Sequence, residues 1–343
     1  MDRYIRVTAQ NMDEYLEKYF VLLCSIRNSR IKAKKIAIME LLCCLYPLQG
    51  IFITNGPLGD MKGLISFFIL KEYKDQLPDY LKNLGYSNKF YILDFDNPDL
   101  ESADEFSSID PLIWKKRRFS VHLFYEQSEE VYQQQSSHNR HFKIIGLDKT
   151  VKDVCGYRGD GSEKGRRALP VEDARCLVNL ALPSKIKTMI DPFAGAGGIV
   201  YQAKYIDPNI EVFSVDIDRV LEPGLTYFGS KHYVANSAEI DLGTQTFDAV
   251  VTEVPFTPDA LGDICGTLIN LDKYLRQSGR VVLMISKDQQ DAVEKCVKEL
   301  NWFIVLSHLV NRKGTDVVIM VCVKSHEIYQ KTEPIVDVIN TVY

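Results

Sequence analysis

The eight cysteines of this 343-residue chain include no Cys-x-x-Cys pair, which removes the usual basis for a structural zinc site. Several of them, among Cys24, Cys43, Cys44, Cys155, Cys176, Cys265, Cys296 and Cys322, sit in apolar runs and read as small buried hydrophobes. His122, His138 and His141 have no metal-ligand spacing either, so no metal is expected. Long hydrophobic runs are also missing. The stretch Leu64-Ile-Ser-Phe-Phe-Ile-Leu70 falls well short of the roughly 20 residues that span a bilayer. The opening residues, Met1-Asp-Arg-Tyr-Ile-Arg6, lack the hydrophobic region of a signal peptide. The expectation is a cytoplasmic protein with reduced thiols and no membrane association. A basic excess is absent as well: the formal net charge is −5 and the pI near 5.8. That excludes a uniformly basic nucleic-acid binder and leaves room for a local basic groove. No internal repeat is present.

What remains is ordinary globular composition, with 46% hydrophobic and 25% charged residues, in a chain long enough for two domains. The most informative stretch is Ile186-Lys-Thr-Met-Ile-Asp-Pro-Phe-Ala-Gly-Ala-Gly-Gly198. A short apolar run ends in Asp191, glycines follow at 195, 197 and 198, and Ile199 to Lys204 reads as a helix. Strand, glycine loop and helix make a nucleotide-sized crevice at the carboxyl end of a sheet. A dinucleotide fingerprint needs a third glycine that this loop lacks, and Asp191 would repel a phosphate. A carboxylate there suits a ligand with a positive end, such as an α-amino group. The glycine loop alone is compatible with an ordinary αβ turn. Asp216 adds to it: it ends the next apolar run, 21 residues past Gly195, where an acid accepts hydrogen bonds from ribose hydroxyls. An amino group at one end and a ribose at the other describe S-adenosylmethionine better than NAD.

Along the chain, residues 1–150 alternate as βαββαβ. Strands are expected at Tyr19–Ile26, Gly50–Thr54, Gly63–Leu70 and Phe90–Phe95, and helices at Ser29–Leu45 and Pro78–Leu84. Phe119–Tyr125 alternates like a further strand. The segment 151–169, with four glycines between Val151 and Arg167, reads as a linker. A helix over Pro170–Leu182 precedes the glycine loop. After it, strands are expected at Glu211–Val215, Thr246–Val251, Arg280–Ile285, Trp302–Leu306 and Asp316–Val323, with helices at 259–276 and 287–299. The short loop Asn311-Arg-Lys-Gly314 makes the last two strands a hairpin, so the sheet is mostly parallel with an antiparallel last strand at its end. The domain is set at 170–330, with 331–343 as a tail.

Asp191-Pro-Phe-Ala-Gly-Ala-Gly-Gly198 resembles the Asp-Pro-Phe-x-Gly-x-Gly loop of class I S-adenosylmethionine-dependent methyltransferases. More narrowly, it resembles the branch of THUMP-type tRNA guanosine-N2 methyltransferases. Arg167 to Ala181 is similar to that branch's lead-in helix, and the likeness covers roughly residues 165–325. It implies an α/β, Rossmann-like sheet preceded by a smaller α+β domain that serves as an RNA-binding module. It also implies S-adenosylmethionine as cofactor, with RNA, most specifically tRNA, as partner; whether an activating partner subunit is required is left open by the sequence. Carried over, Asp191, Phe193, Ala194, Gly195 and Gly197 line the methionine end. Asp216 binds the ribose, Ile217 flanks the adenine, and Ser237 and Ala238 stand near its amino group, with Ser237 where the family has an acid.

The family's fourth motif is Asp or Asn, Pro, Pro, and Tyr or Phe. Here it is Glu253-Val254-Pro255-Phe256. The resemblance implies that Glu253 and the backbone carbonyl of Val254 or Pro255 accept hydrogen bonds from a target amino group, while Phe256 stacks on a flipped base. Glu253 is one methylene longer than Asp, and Val254 in place of proline is expected to loosen the loop. Lys115, Lys116, Arg117 and Arg118, between Trp114 and Phe119, could grip phosphates. The implied activity is methylation of an exocyclic base amine, most specifically guanosine N2 in tRNA. The rival expectations are a non-catalytic binding protein of the same fold, and methylation of a protein or small molecule. Asp248 reads as a structural acid at a strand end.

Overall fold

The computed structural model describes residues 4–5, 12–48, 52–54, 64–94, 120–123, 169–312 and 314–342. Two compact units are present, one of residues 1–148 with 337–343 and the other of residues 149–336. The segment 124–168, including the expected linker to Arg167, and the basic cluster 115–118 lie outside the described residues.

The first unit holds β1 (Tyr4–Ile5), α1 (Met12–Lys18), β2 (Tyr19–Ile26), α2 (Lys34–Cys44), β3 (Phe52–Thr54), β4 (Leu64–Leu70), α3 (Leu77–Leu81), β5 (Ser87–Asp94) and β6 (Ser120–Leu123). The described strands form a sheet of order β1-β3-β4-β2-β5-β6. β2 and β4, rich in β-branched and aromatic residues, lie side by side at its middle and pair antiparallel. Glu40 of α2 is buried and accepts from the backbone N–H of Gly85 at 2.6 Å and of Tyr86 at 2.9 Å. This carboxylate therefore fixes the turn before β5.

The second unit holds α4 (Val171–Leu180), β7 (Thr188–Asp191), α5 (Gly198–Ile206), β8 (Glu211–Asp216), α6 (Glu222–Tyr227), β9 (Ser230–Val234), β10 (Phe247–Glu253), α7 (Leu261–Asp272), β11 (Leu275–Ser286), α8 (Gln290–Glu299), β12 (Phe303–Arg312), β13 (Thr315–Val323) and, up to Val336, the first part of α9 (His326–Val342). The stretch from 331, read from sequence as a tail, continues this last helix to Val342. The sheet order is β12-β13-β11-β10-β7-β8-β9. β7, β8, β9, β10 and β11 are parallel; β13 is antiparallel to both of its neighbours. The last strand is antiparallel as expected, but it is inserted one place in from the edge, and β12 forms the edge. Central strands such as β10 are buried on both faces, so their sequences run apolar without alternation.

β9 was not legible. Ser-Lys-His-Tyr-Val lacks a strand's apolar rhythm, because an edge strand pairs on one side only and keeps polar residues. β12 carries one irregularity: Ile304 pairs with Cys322 and Leu306 with Val321, leaving Val305 as the extra residue of a bulge. Asp248, at the start of β10, accepts from the backbone N–H of Lys187 at 2.7 Å and of Thr188 at 3.0 Å, and pairs with Arg276. It ties β10 to β7 at the end of the sheet away from the crevice. Among the described residues no helix is long and apolar enough to cross a membrane.

Candidate functional site

Three neighbouring parallel strands each end in an acid: β8 in Asp216, β7 in Asp191 and β10 in Glu253. The chain runs from β7 outward to β8 and β9, then returns to place β10 on the other side of β7. That reversal opens a crevice at the carboxyl ends of the strands.

The loop between β7 and α5 is tied down by its own backbone. The Ala194 N–H donates to Val215 O at 3.0 Å, and the Gly197 N–H to Ala194 O at 2.9 Å. The Gly195 N–H donates to Asp216 Oδ2 at 2.9 Å. The other oxygen of Asp216 accepts from the Asp218 N–H at 2.9 Å. Asp216 thus couples the glycine loop to the end of β8 before any ligand arrives. Gly195, at φ +50°, has nothing nearer to an added Cβ than Phe193 O at 4.0 Å, so its face is open to a ligand. Gly197 caps α5 at φ +80°, and a Cβ there would stand 2.9 Å from Phe228 and 3.0 Å from Leu225. Gly197→Ala combines a left-handed backbone with a clash and is expected to cost about 3 kcal/mol. Urea unfolding would measure it, and a loss below about 1 kcal/mol would mean that the loop relaxes freely.

Asp191 is 1% exposed. Thr252 Oγ1 donates to its Oδ1 at 2.7 Å, and the Phe193 N–H at 3.3 Å. Burial pushes its pKa up to about 7, and the neighbouring Asp216 and Glu253 add to the rise against those two hydrogen bonds. A carboxyl so placed gains most from a cationic partner. Ile217, directly after Asp216, is 76% exposed and offers an apolar face to a flat ring. Ala194 is buried in the loop, and Phe193 is half-buried against the core beneath it. The half-buried Ala238 donates its N–H to Asn236 Oδ1 at 2.9 Å.

Ser237, expected near the adenine amino group, has its hydroxyl engaged within the protein. It is buried, and its hydroxyl bonds Thr267 of α7 at 2.8 Å, so it joins loop to helix.

The fourth-motif loop differs in two ways from the sequence reading. Val254 is buried and its N–H donates to Met284 O at 3.0 Å, a bond that proline cannot make. Gln289, buried at the start of α8, donates its amide to Pro255 O at 2.7 Å and Thr257 O at 3.3 Å. Its Oε1 accepts from the Ser286 N–H in a capping box. The loop is therefore anchored, not loosened, and the Pro255 carbonyl already holds one donor. Pro255 itself is exposed, and Phe256 is half-buried against the core.

Glu253 is paired. Its Oε1 accepts from Nη1 of Arg312, whose Nε lies 3.2 Å from Asp173 Oδ2. Burial raises the Glu253 pKa, Arg312 opposes the rise, and Asp173 adds to it. Arg312, Asp173, Gln289 and Thr252 were not singled out in the sequence. Only the Ser286-x-x-Gln289 spacing carried a readable signal there. Among the described residues no group of His, Cys, Asp or Glu is arranged to hold a metal ion.

This strand order, with a glycine loop after β7 and acids at the ends of β7 and β8, defines a class I S-adenosylmethionine-dependent methyltransferase fold in divergent form. The crevice fits that cofactor: a buried carboxyl for its ammonium, an open glycine face, an acid for the ribose and an exposed isoleucine for the adenine. No family model matches the chain. In sequence it is similar to a probable tRNA (guanine(10)-N2)-dimethyltransferase from Methanothermococcus thermolithotrophicus, at 27% identity over 130 residues, which is 33% of this chain and 79% of that one. In structure it is similar to TrmN from Thermus thermophilus, with a TM-score of 0.49 and 12% identity over 89% of this chain and 99% of that one. A further similar structure is the ribosomal protein L11 methylase from Lactobacillus delbrueckii subsp. bulgaricus, with a TM-score of 0.38 and 16% identity over 60% and 95%.

Proposed function

We propose that this chain is an S-adenosylmethionine-dependent N-methyltransferase acting on an exocyclic amino group of a nucleic-acid base, guanosine N2 in tRNA. What supports it most is that the acceptor loop at the end of β10 stands on the strand next to the one that carries Asp191 and the glycine loop. The sequence relative described as a probable tRNA guanine-N2 enzyme supports the choice of substrate. When bound, the cofactor supplies an activated methyl group. The protein's own part is alignment. Asp191 takes the ammonium, Asp216 the ribose hydroxyls, and Ile217 the adenine face. Glu253 accepts a hydrogen bond from the target amine and turns its lone pair toward the donor. Phe256 stacks on the base. The first unit positions the RNA, with Lys115, Lys116, Arg117 and Arg118 contributing phosphate contacts.

The test is transfer of labelled methyl from S-adenosylmethionine to unfractionated tRNA by the purified chain, followed by nucleoside analysis. The expected product is N2-methylguanosine, absent with Glu253→Ala. Cofactor binding without transfer would overturn this reading. It would favour a non-catalytic binding protein.

A further inference from the structure

The glutamate at 253 and the arginine at 312 explain each other. β12 is three strands from β10 in the sheet, with β13 and β11 between them. Arg312 nevertheless reaches Glu253, and on the way its Nη1 touches Sδ of Met284 on β11 at 3.2 Å. Its Nε is held by Asp173, a fully buried acid in the first turn of α4. The guanidinium is thus held at Nε by one acid while its Nη1 meets the other, which suits the planar, forked donor of arginine and not the single ammonium of lysine. The side chain of Glu253 is 28% exposed, and its Oε2 has no protein partner among the described residues. One oxygen is taken and the other remains. The extra methylene, which in isolation misplaces the acceptor, is the length that brings Oε1 to Arg312.

We propose that Arg312 is a positioning residue for methyl transfer: anchored by Asp173, it holds Oε1 of Glu253 so that Oε2 is presented, ionised, to the target amine. This rests on the reading above that Glu253 is the acceptor. The charged groups facing Glu253 are Arg312 from β12, Asp173 from α4 and Asp191 from β7. Arg312 is the one cation among them. Without it, a half-buried carboxylate faces two further acids, keeps its proton to higher pH and loses the ionised oxygen that would accept. It also regains the side-chain freedom that the ion pair removes.

The experiment compares the wild type with Arg312→Met and Arg312→Lys by three measurements. Calorimetric titration with S-adenosylmethionine is expected to give a Kd within about threefold in all three proteins, because Arg312 contacts neither Asp191 nor Asp216. Methyl transfer to unfractionated tRNA between pH 5.5 and 9 is expected to lose about tenfold to a hundredfold in kcat with Arg312→Met, with KM for tRNA little changed. The acid limb of the profile should move to higher pH, and Arg312→Lys should fall between. Carbon-13 carboxyl titration, with the Glu253 signal assigned through Glu253→Gln, is expected to show the Glu253 pKa rising in both variants. A folded Arg312→Met that keeps the wild-type kcat and pH profile would overturn the proposal. So would a Glu253 titration unmoved in both variants. If Arg312→Met does not fold, Arg312→Lys carries the test. If the wild type methylates no tRNA, the function proposed above fails, and the carboxyl titration alone decides whether Arg312 governs Glu253.

Discussion

Replacing Asp191 by asparagine is expected to make the protein more stable at pH 8 and nearly unable to bind its cofactor. Burial raises the Asp191 pKa to about 7, whereas in the unfolded chain the same group titrates near 4. Between those values the folded state holds a proton that the unfolded state has released. Stability therefore falls as pH rises from about 4 to about 7, and the full cost stands above that. The asparagine carbonyl can still accept from Thr252 and from the Phe193 N–H, the two bonds that Oδ1 makes. Removing the charge should raise the melting temperature by a few degrees at pH 8, with the gain vanishing near pH 4. Affinity for S-adenosylmethionine should drop by about a hundredfold, since a buried charge pair is lost. In the wild type the same affinity should strengthen as pH rises through about 7, when the carboxyl ionises. Melting curves at both pH values and calorimetric titration check all of this. A lower melting temperature at pH 8 would mean that the ionised form is already well accommodated without ligand.

Asp216→Ala should move stability the other way. Both Asp216 oxygens accept backbone N–H groups, from Gly195 and Asp218. Alanine leaves two donors without their acceptor and unties the glycine loop from β8. A loss of about 1–3 kcal/mol is expected, with a melting temperature several degrees lower. Cofactor affinity should fall by more than about a hundredfold, because the ribose contacts and the loop that frames the methionine end are lost together. Retained affinity in Asp216→Ala would remove the ribose assignment. In the proposed function two carboxylates on adjacent strands thus serve one ligand, one at the expense of stability and the other in support of it.

Much of this was readable in the chain. A glycine loop is a local device, fully specified by neighbours in sequence, and Asp216 lies at a spacing set by one helix and one strand. Buried parallel strands announce themselves as apolar runs, and the hairpin at Asn311–Gly314 by its length. The rest depends on distant residues. Arg312 lies 59 positions from Glu253 and Gln289 lies 34 from Pro255, and no local pattern marks either partnership. The valine at 254 looked like a loss of rigidity because the sequence does not show that its N–H meets Met284. The bond from Ser237 to Thr267 spans 30 positions, and sequence does not tell which way a loop hydroxyl turns. β9, a polar edge strand, gave no periodic signal at all.

The extra residue in β12 bears on the acceptor. Alternate residues of a strand face opposite sides of its sheet, so parity along β12 decides what each end presents. The hairpin fixes parity at the Arg312 end through the pairing of Arg312 with Thr315, while Phe303 and Ile304 are paired separately with Val323 and Cys322. Val305 takes up the odd count between the two. Were Val305 paired instead of bulged, the hairpin would still hold the run from Leu306 to Arg312 in place, and Phe303 and Ile304 would turn to the opposite face. The side on which a guanidinium meets Glu253 is thus settled by the hairpin, and one unpaired residue seven positions earlier lets the far end of the strand keep its own face.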